Sequence, residues 1–160
     1  MNSGLTIRRA DPADTDALGR LGALLVAEHH AFDPKRFIAP VPDLARRYGQ
    51  FLISQSERPD RIVLVAELDR ALVGYVYGGV EGNDYMVLRG PAGEFYDLVV
   101  DPDHRRQGIG SKLLDSGLEA LEDLGAPRAV LFTAAKNEGA QSMFARAGFR
   151  RTMIEMTREL

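Results

Sequence analysis

The sequence predicts an α+β domain, and three observations carry that prediction. Short β-rich runs alternate with stretches whose leucines recur at helical spacing. No repeat, low-complexity tract or linker interrupts residues 1–160, so they read as a single domain. The run from Val99 to Leu114 (VVDPDHRRQGIGSKLL) joins the end of an apolar strand to an amphipathic helix through a basic, glycine-spaced turn.

The elements follow in order. Leu5 to Arg9 reads as a first strand, ended by Asp11-Pro12. Asp11 is placed to cap the next helix, with Pro12 at its first position. Leu18, Leu21, Leu24 and Leu25 mark that helix, which fades near His30 before Phe32-Asp33-Pro34. Pro40 and Pro42 lead into a second helix with Leu44, Tyr48, Phe51 and Leu52 on one face. Arg61–Leu68 and Ala71–Val80, joined by Asp69-Arg70, form an antiparallel hairpin. Residues 81–92 read as a polar loop over the site with a short strand near Tyr85 to Leu88. Glu94 to Val100 is the next strand. A helix from Gly108 to Leu124 buries Leu113, Leu114, Leu118 and Leu121 and stops at Gly125. Ala129–Ala135 is a strand, Gly139–Ala147 a helix, and Phe149–Thr157 a last strand.

The turn before the long helix is an anion site by construction. Helix-start amides and the positive end of the helix dipole converge there, and Arg105 and Arg106 add full charge. A pyrophosphate is the natural occupant. Gly110-Ser111-Lys112 has the wrong order for a Walker A loop, and Leu113 stands where a dinucleotide fingerprint requires its third glycine.

Composition narrows the function classes. Net charge is −3, so the basic cluster is local and suits a small anion rather than a nucleic acid. There is no cysteine, which removes disulfides, thiolate-ligated zinc and an acyl-cysteine intermediate. His29, His30 and His104 have no ligand-spaced partners, so no metal is expected. No run approaches the roughly 18 apolar residues of a membrane span, and residues 1–8 lack a signal core. The expectation is a cytoplasmic protein without membrane or nucleic-acid partners.

Arg105-x-x-Gly108-x-Gly110 resembles the acyl-CoA-binding turn of the GNAT superfamily of N-acetyltransferases, Arg/Gln-x-x-Gly-x-Gly/Ala. About 30 residues on, Asn137-x-x-Ala140-x-x-Met143-Phe144-x-Arg146-x-Gly148-Phe149 is similar to that family's Asn-x-x-Ala-x-x-Leu-Tyr-x-Lys-x-Gly-Phe segment. The element order is also the family's. The resemblance implies a mixed central sheet with flanking helices and a splayed strand pair that holds acyl-CoA. On it, the strand segment Leu98, Val99 and Val100 supplies main-chain contacts to pantetheine. Arg105, Arg106, Gln107, Gly108, Ile109, Gly110 and Ser111 hold the pyrophosphate, and Asn137 and Phe144 lie near the cofactor arm and thioester.

It further implies an acetyl-CoA-dependent N-acetyltransferase acting by direct transfer in a ternary complex, on a small-molecule or peptide primary amine. A lysine-like amine, with a pKa of about 10.4, must lose a proton first. Glu94 holds the register of the catalytic glutamate in histone-acetyltransferase-like members, and strand alternation puts it on one face with Tyr96 and Leu98. Asp97 faces the other way and would act through water if the strand is bulged. Phe144 stands where many relatives place the tyrosine that protonates the departing thiolate, which leaves water or Tyr77, Tyr85 or Tyr96 to assist. The same substitution suggests the alternative of an acyl-CoA-binding regulatory module with little turnover. Glu28, Asp33, Glu81 and Asp84 fall in segments that build the acceptor pocket, and homodimers are common in the family.

Overall fold

The computed structural model describes residues 4–160. The leader reading rests partly on residues 1–3, which lie outside the described residues. Five strands form one sheet in sequence order: β1 (Leu5–Arg9), β2 (Arg61–Leu68), β3 (Ala71–Glu81), β4 (Ala92–Val100) and β5 (Ala129–Leu131). The first four pair antiparallel, and β4 and β5 are parallel, so the sheet is mixed.

Helices cover both faces. α1 (Thr15–Phe32) and α2 (Leu44–Ser56) lie between β1 and β2 in sequence; α3 (Ile109–Asp123) crosses from β4 to β5, and α4 (Glu138–Arg146) follows β5. The continuous apolar run of β2 suits a strand covered on both sides. Val63 and Val65 pack with Leu18, Leu21, Leu52 and Tyr75 beneath α1 and α2. Ile62, Leu64 and Ala66 pack with Val76, Leu113, Leu114 and Leu121 on the α3 side.

The entry into α1 follows from Asp11 and Pro12. Asp11 accepts from the Ala13 amide at 2.8 Å and a one-turn 3-10 helix (Pro12–Asp14) precedes α1. α1 and α2 cross backbone to backbone at Gly19 and Gly49. A Cβ on Gly19 would sit 2.0 Å from the Ala45 carbonyl oxygen, and one on Gly49 2.2 Å from that of Thr15. Only glycine permits this approach, which brings Tyr48 against the sheet.

Four sequence expectations need correction. α1 runs two residues beyond His30. Tyr85 to Leu88 is a tight turn rather than a strand, closed by paired amide bonds between Asp84 and Arg89. β5 stops at Leu131 instead of Ala135. The expected strand at Phe149–Thr157 is absent: residues from Phe149 onward have no regular structure, and 150–160 are exposed. Strand propensity needs a paired neighbour to be realised, and no backbone hydrogen bond ties residues 150–160 to the other described residues.

Candidate functional site

The site begins with a register break. Tyr77 faces Asp97, while the next residue of β3, Gly78, faces Phe95, so Tyr96 is an extra residue in β4. This bulge shifts the strand's phase. Before it, Phe95 packs toward α3. After it, Asp97 contacts tyrosines under α1 and α2, Val99 joins that side, and Leu98 and Val100 pack toward α3. Glu94 and Tyr96 therefore share a face with Asp97, not with Leu98 as simple alternation predicts.

The bulge also turns the main chain. Asp101 donates its amide to Val73 of β3 at 2.8 Å, so the amide and carbonyl groups of Leu98 and Val100 point to the opposite edge of β4. That edge is open. β5 pairs only with Gly93, Glu94 and Phe95 and then ends, leaving Tyr96 to Val100 without a parallel neighbour.

The open edge leads into the basic turn. Asp101 caps a second one-turn 3-10 helix (Pro102–His104) by accepting from the Asp103 amide. Arg106 (φ 63°) and Gly108 (φ 78°) then adopt left-handed backbone, which curls successive amides inward. The helical ladder starts where Lys112 donates to Gly108, so the amides of Ile109, Gly110 and Ser111 precede it and point out of the helix end. A Cβ on Gly108 would meet nothing within 4 Å, which makes the concavity accessible. Ile109 is buried in the core, and only its main chain faces the turn.

Arg105 is already engaged. Its Nε donates to the Val100 carbonyl at 2.9 Å, and Nη2 meets Glu28 at 2.6 Å. Arg106 and Gln107 are exposed at the turn. Asn137 caps α4, accepting from the Ala140 amide at 3.2 Å. Phe144 is buried in the core edge-on to Phe149, with centroids 5.9 Å apart.

At the N-terminal end of β4, a cavity of about 400 Å³ is lined by Glu81, Asp84, Tyr85, Met86, Arg89 and Glu94 among others. Glu94 is half-buried and paired with Arg89 at 3.1 Å. Tyr96 donates its hydroxyl to Glu81, which also binds Arg61 at 2.8 Å. Burial, followed by that bond to Glu81, pushes the Tyr96 hydroxyl well above its ordinary range.

Asp97 is buried, and one carboxylate oxygen accepts from Tyr48 at 2.7 Å and from Tyr75 at 3.0 Å. Burial raises its pKa, against the two hydroxyls and the nearby His29, which lower it. The four acids expected around an acceptor do not converge. Glu81 and Asp84 join Glu94 at the cavity. Glu28 is held by Arg105, and Asp33 caps the turn after α1 by accepting from the Lys35 amide. Arg61, Arg89, Tyr48 and Tyr75, which complete these networks, carried no local sequence signal for such roles.

An open strand edge that ends in an amide nest at a helix start defines a nucleotide-linked acyl carrier site on a mixed sheet, and the comparisons agree. The family described as Acetyltransferase (GNAT) family matches residues 25–149; the chain belongs to this family. A mycothiol acetyltransferase from Cellulomonas flavigena is 31% identical over 157 residues, covering 96% of this chain and 42% of that protein. The chain thus spans less than half the length of that relative. Among solved structures, the BH1408 protein from Bacillus halodurans superposes with a TM-score of 0.81 at 19% identity, covering 97% of this chain and 99% of that one. AAC(6')-Iy in complex with the bisubstrate analogue CoA-S-monomethyl-acetylneamine gives 0.72 at 16% identity, covering 99% of each chain. No described helix is long and apolar enough to cross a membrane.

Proposed function

We propose that the protein is an acetyl-CoA-dependent N-acetyltransferase that acts by direct transfer in a ternary complex on a small primary amine. The observation that carries this reading is the continuity of the open β4 edge with the amide nest at Arg106–Ser111. Its residues fit acetyl-CoA. The main chain at Leu98 and Val100, across the Val99 segment, offers amide and carbonyl groups to a pantetheine arm. The nest, with Arg105 and Arg106 alongside, offers donors and charge to a pyrophosphate. Asn137 and the ring of Phe144 border the same opening from α4. The AAC(6')-Iy structure, a CoA-linked bisubstrate complex on the same fold, supports the assignment.

The bound cosubstrate supplies an activated acetyl thioester. The chain's own residues prepare the amine. Glu81, Asp84 and Glu94 give the cavity an acidic lining that attracts a cationic acceptor. Glu94 is the general base: it sits in that cavity, on the bulged strand's acceptor face, and its carboxylate takes the ammonium proton. Arg89 orients the carboxylate. Tyr96 holds Glu81 in place through its hydroxyl and stands beside the bulge. Asp97 acts as a positioning residue, because its oxygen is taken by two tyrosine hydroxyls in a closed core. Departure of a thiolate, with a pKa of about 8.5 by analogy with cysteine, tolerates the phenyl ring at Phe144.

The acceptor is of the small, amine-bearing kind that the relatives' names suggest, mycothiol acetyltransferase among them. A cytoplasmic setting supplies acetyl-CoA. The test is release of CoA thiol from acetyl-CoA across aminosugars, aminoglycosides, polyamines, amino acids and peptides, with a no-acceptor control. Release dependent on one amine class establishes the reaction. CoA binding without release in any class favours the regulatory module that the buried Phe144 side chain suggests.

A further inference from the structure

The chain carries a strand without a sheet and a sheet edge without a strand. Residues 150–160 are exposed throughout, yet include Met153, Ile154, Met156 and Leu160, the second and third at 85% and 91% exposure. Alternation places Thr152, Ile154 and Met156 on one side and Met153, Glu155 and Thr157 on the other, a pattern suited to a strand clasped on both faces. Its backbone has no partner among the described residues.

The complementary surface is β5. It is the last strand of the sheet, so its outer edge is unpaired. Gly93 donates to the Arg128 carbonyl at 2.8 Å, which turns Arg128 and Val130 toward β4 and leaves the amide and carbonyl groups of Ala129 and Leu131 pointing outward. Phe132, 68% exposed, follows at the same edge. Natural sheets seldom leave such an edge bare beside an apolar arm.

The arm does not serve its own edge. Arg36 grips Glu155 in a two-pronged ion pair beyond α1, and Arg151 donates to Gln141 on α4 at 2.6 Å. These contacts hold the arm extended and away from β5. Both are exposed, so they cost little to rearrange.

We propose that residues 150–160 of one copy add as a strand to the outer β5 edge of a second copy, and reciprocally. The occupant is a second copy because each chain holds both halves of the match. A two-fold axis then satisfies arm and edge twice with one contact type, and the assembly closes. Strand addition supplies main-chain hydrogen bonds, and the alternating apolar side chains supply burial. It follows from the arm and edge alone and is independent of the acetyl-transfer reading.

The test is mass by light scattering on the whole chain. Wild type should run at the mass of two chains. Ile154→Asp with Met156→Asp should run at one, with the circular dichroism of a folded domain, because both side chains are exposed in the single chain. Ala129→Pro, which deletes an outward amide at an edge position that accommodates proline, should weaken the dimer in the same assay. Wild type at the mass of one chain overturns the proposal, as does a dimer that survives the Ile154/Met156 pair. A dimer indifferent to Ala129→Pro, in a folded variant, overturns the β5 edge as the docking site.

Discussion

The hydroxyl of Tyr48 on α2 donates to Asp97 on β4 at 2.7 Å, linking the two elements through a buried carboxylate. The bond sits one residue beyond the bulge, so it fixes both the height of α2 over the sheet and the phase of the strand below. Tyr48→Phe leaves Asp97 buried with Tyr75 as its remaining hydroxyl donor. The expected loss is about 2 kcal/mol, read from urea unfolding at neutral pH. The Tyr48→Phe variant should keep its CoA affinity, since the turn at Arg105–Ser111 is untouched.

Glu94→Gln keeps the size of the side chain and its contact with Arg89 but cannot take a proton. Turnover should fall by about 10²–10⁴, and the acidic limb of the pH–rate profile should vanish. CoA affinity measured by calorimetry should stay at the wild-type value. A profile unchanged from wild type would move the base away from Glu94.

Gly108→Glu inserts a carboxylate into the amide nest at a left-handed position. The open space around Gly108 accommodates the side chain without collision, so the fold should persist by circular dichroism. CoA affinity should drop at least about a hundred-fold, the equivalent of losing one or two charge-assisted hydrogen bonds. Retained affinity would place the pyrophosphate elsewhere.

Asp14 gives the protein an acid-sensitive joint. Burial acts to raise its pKa, but the Arg8 guanidinium, at 2.8 and 2.9 Å, and the Asp11 amide outweigh this and hold it below the usual carboxylate value. A folded-state pKa below the unfolded one contributes stability above the ordinary carboxylate range, and that contribution is lost as pH falls through the lowered value. Asp14→Asn should therefore cost about 2 kcal/mol at neutral pH. In urea melts the two proteins should converge as the solution is made strongly acidic.

Much of the architecture was legible in the chain because its signals are local. Asp11-Pro12 announces α1, Asp69-Arg70 the hairpin, and Gly108 and Gly125 bracket α3. The basic turn was equally readable, since an amide nest needs only a few adjacent residues. The bulge at Tyr96 was not, because nothing in residues 94–100 differs from regular alternation; the break belongs to pairing with β3. Glu94 and Tyr96 were correctly placed together, yet Leu98 fell on the wrong face for that reason. Arg89 and Arg61 reach Glu94 and Glu81 across a turn and between strands, and Tyr48 reaches Asp97 from another helix. Such pairs exist only once the chain has folded. The segment after Phe149 reads as a strand because its composition is that of one, but a strand is defined by its neighbour.

Beyond Leu131 the sheet is one strand short, and β4 presents peptide groups from Tyr96 to Val100 with no chain alongside. A pantetheine arm carries amides of its own, and on the proposed reading it lies in that gap as a surrogate strand. The cosubstrate is then a missing piece of the scaffold as well as a reagent. By mass action, saturation at a hundred times the dissociation constant adds about 2.7 kcal/mol to the folded state. The thermal resistance of the protein inside a cell would accordingly rise and fall with the supply of acetyl-CoA, making its lifetime a gauge of the metabolite it consumes.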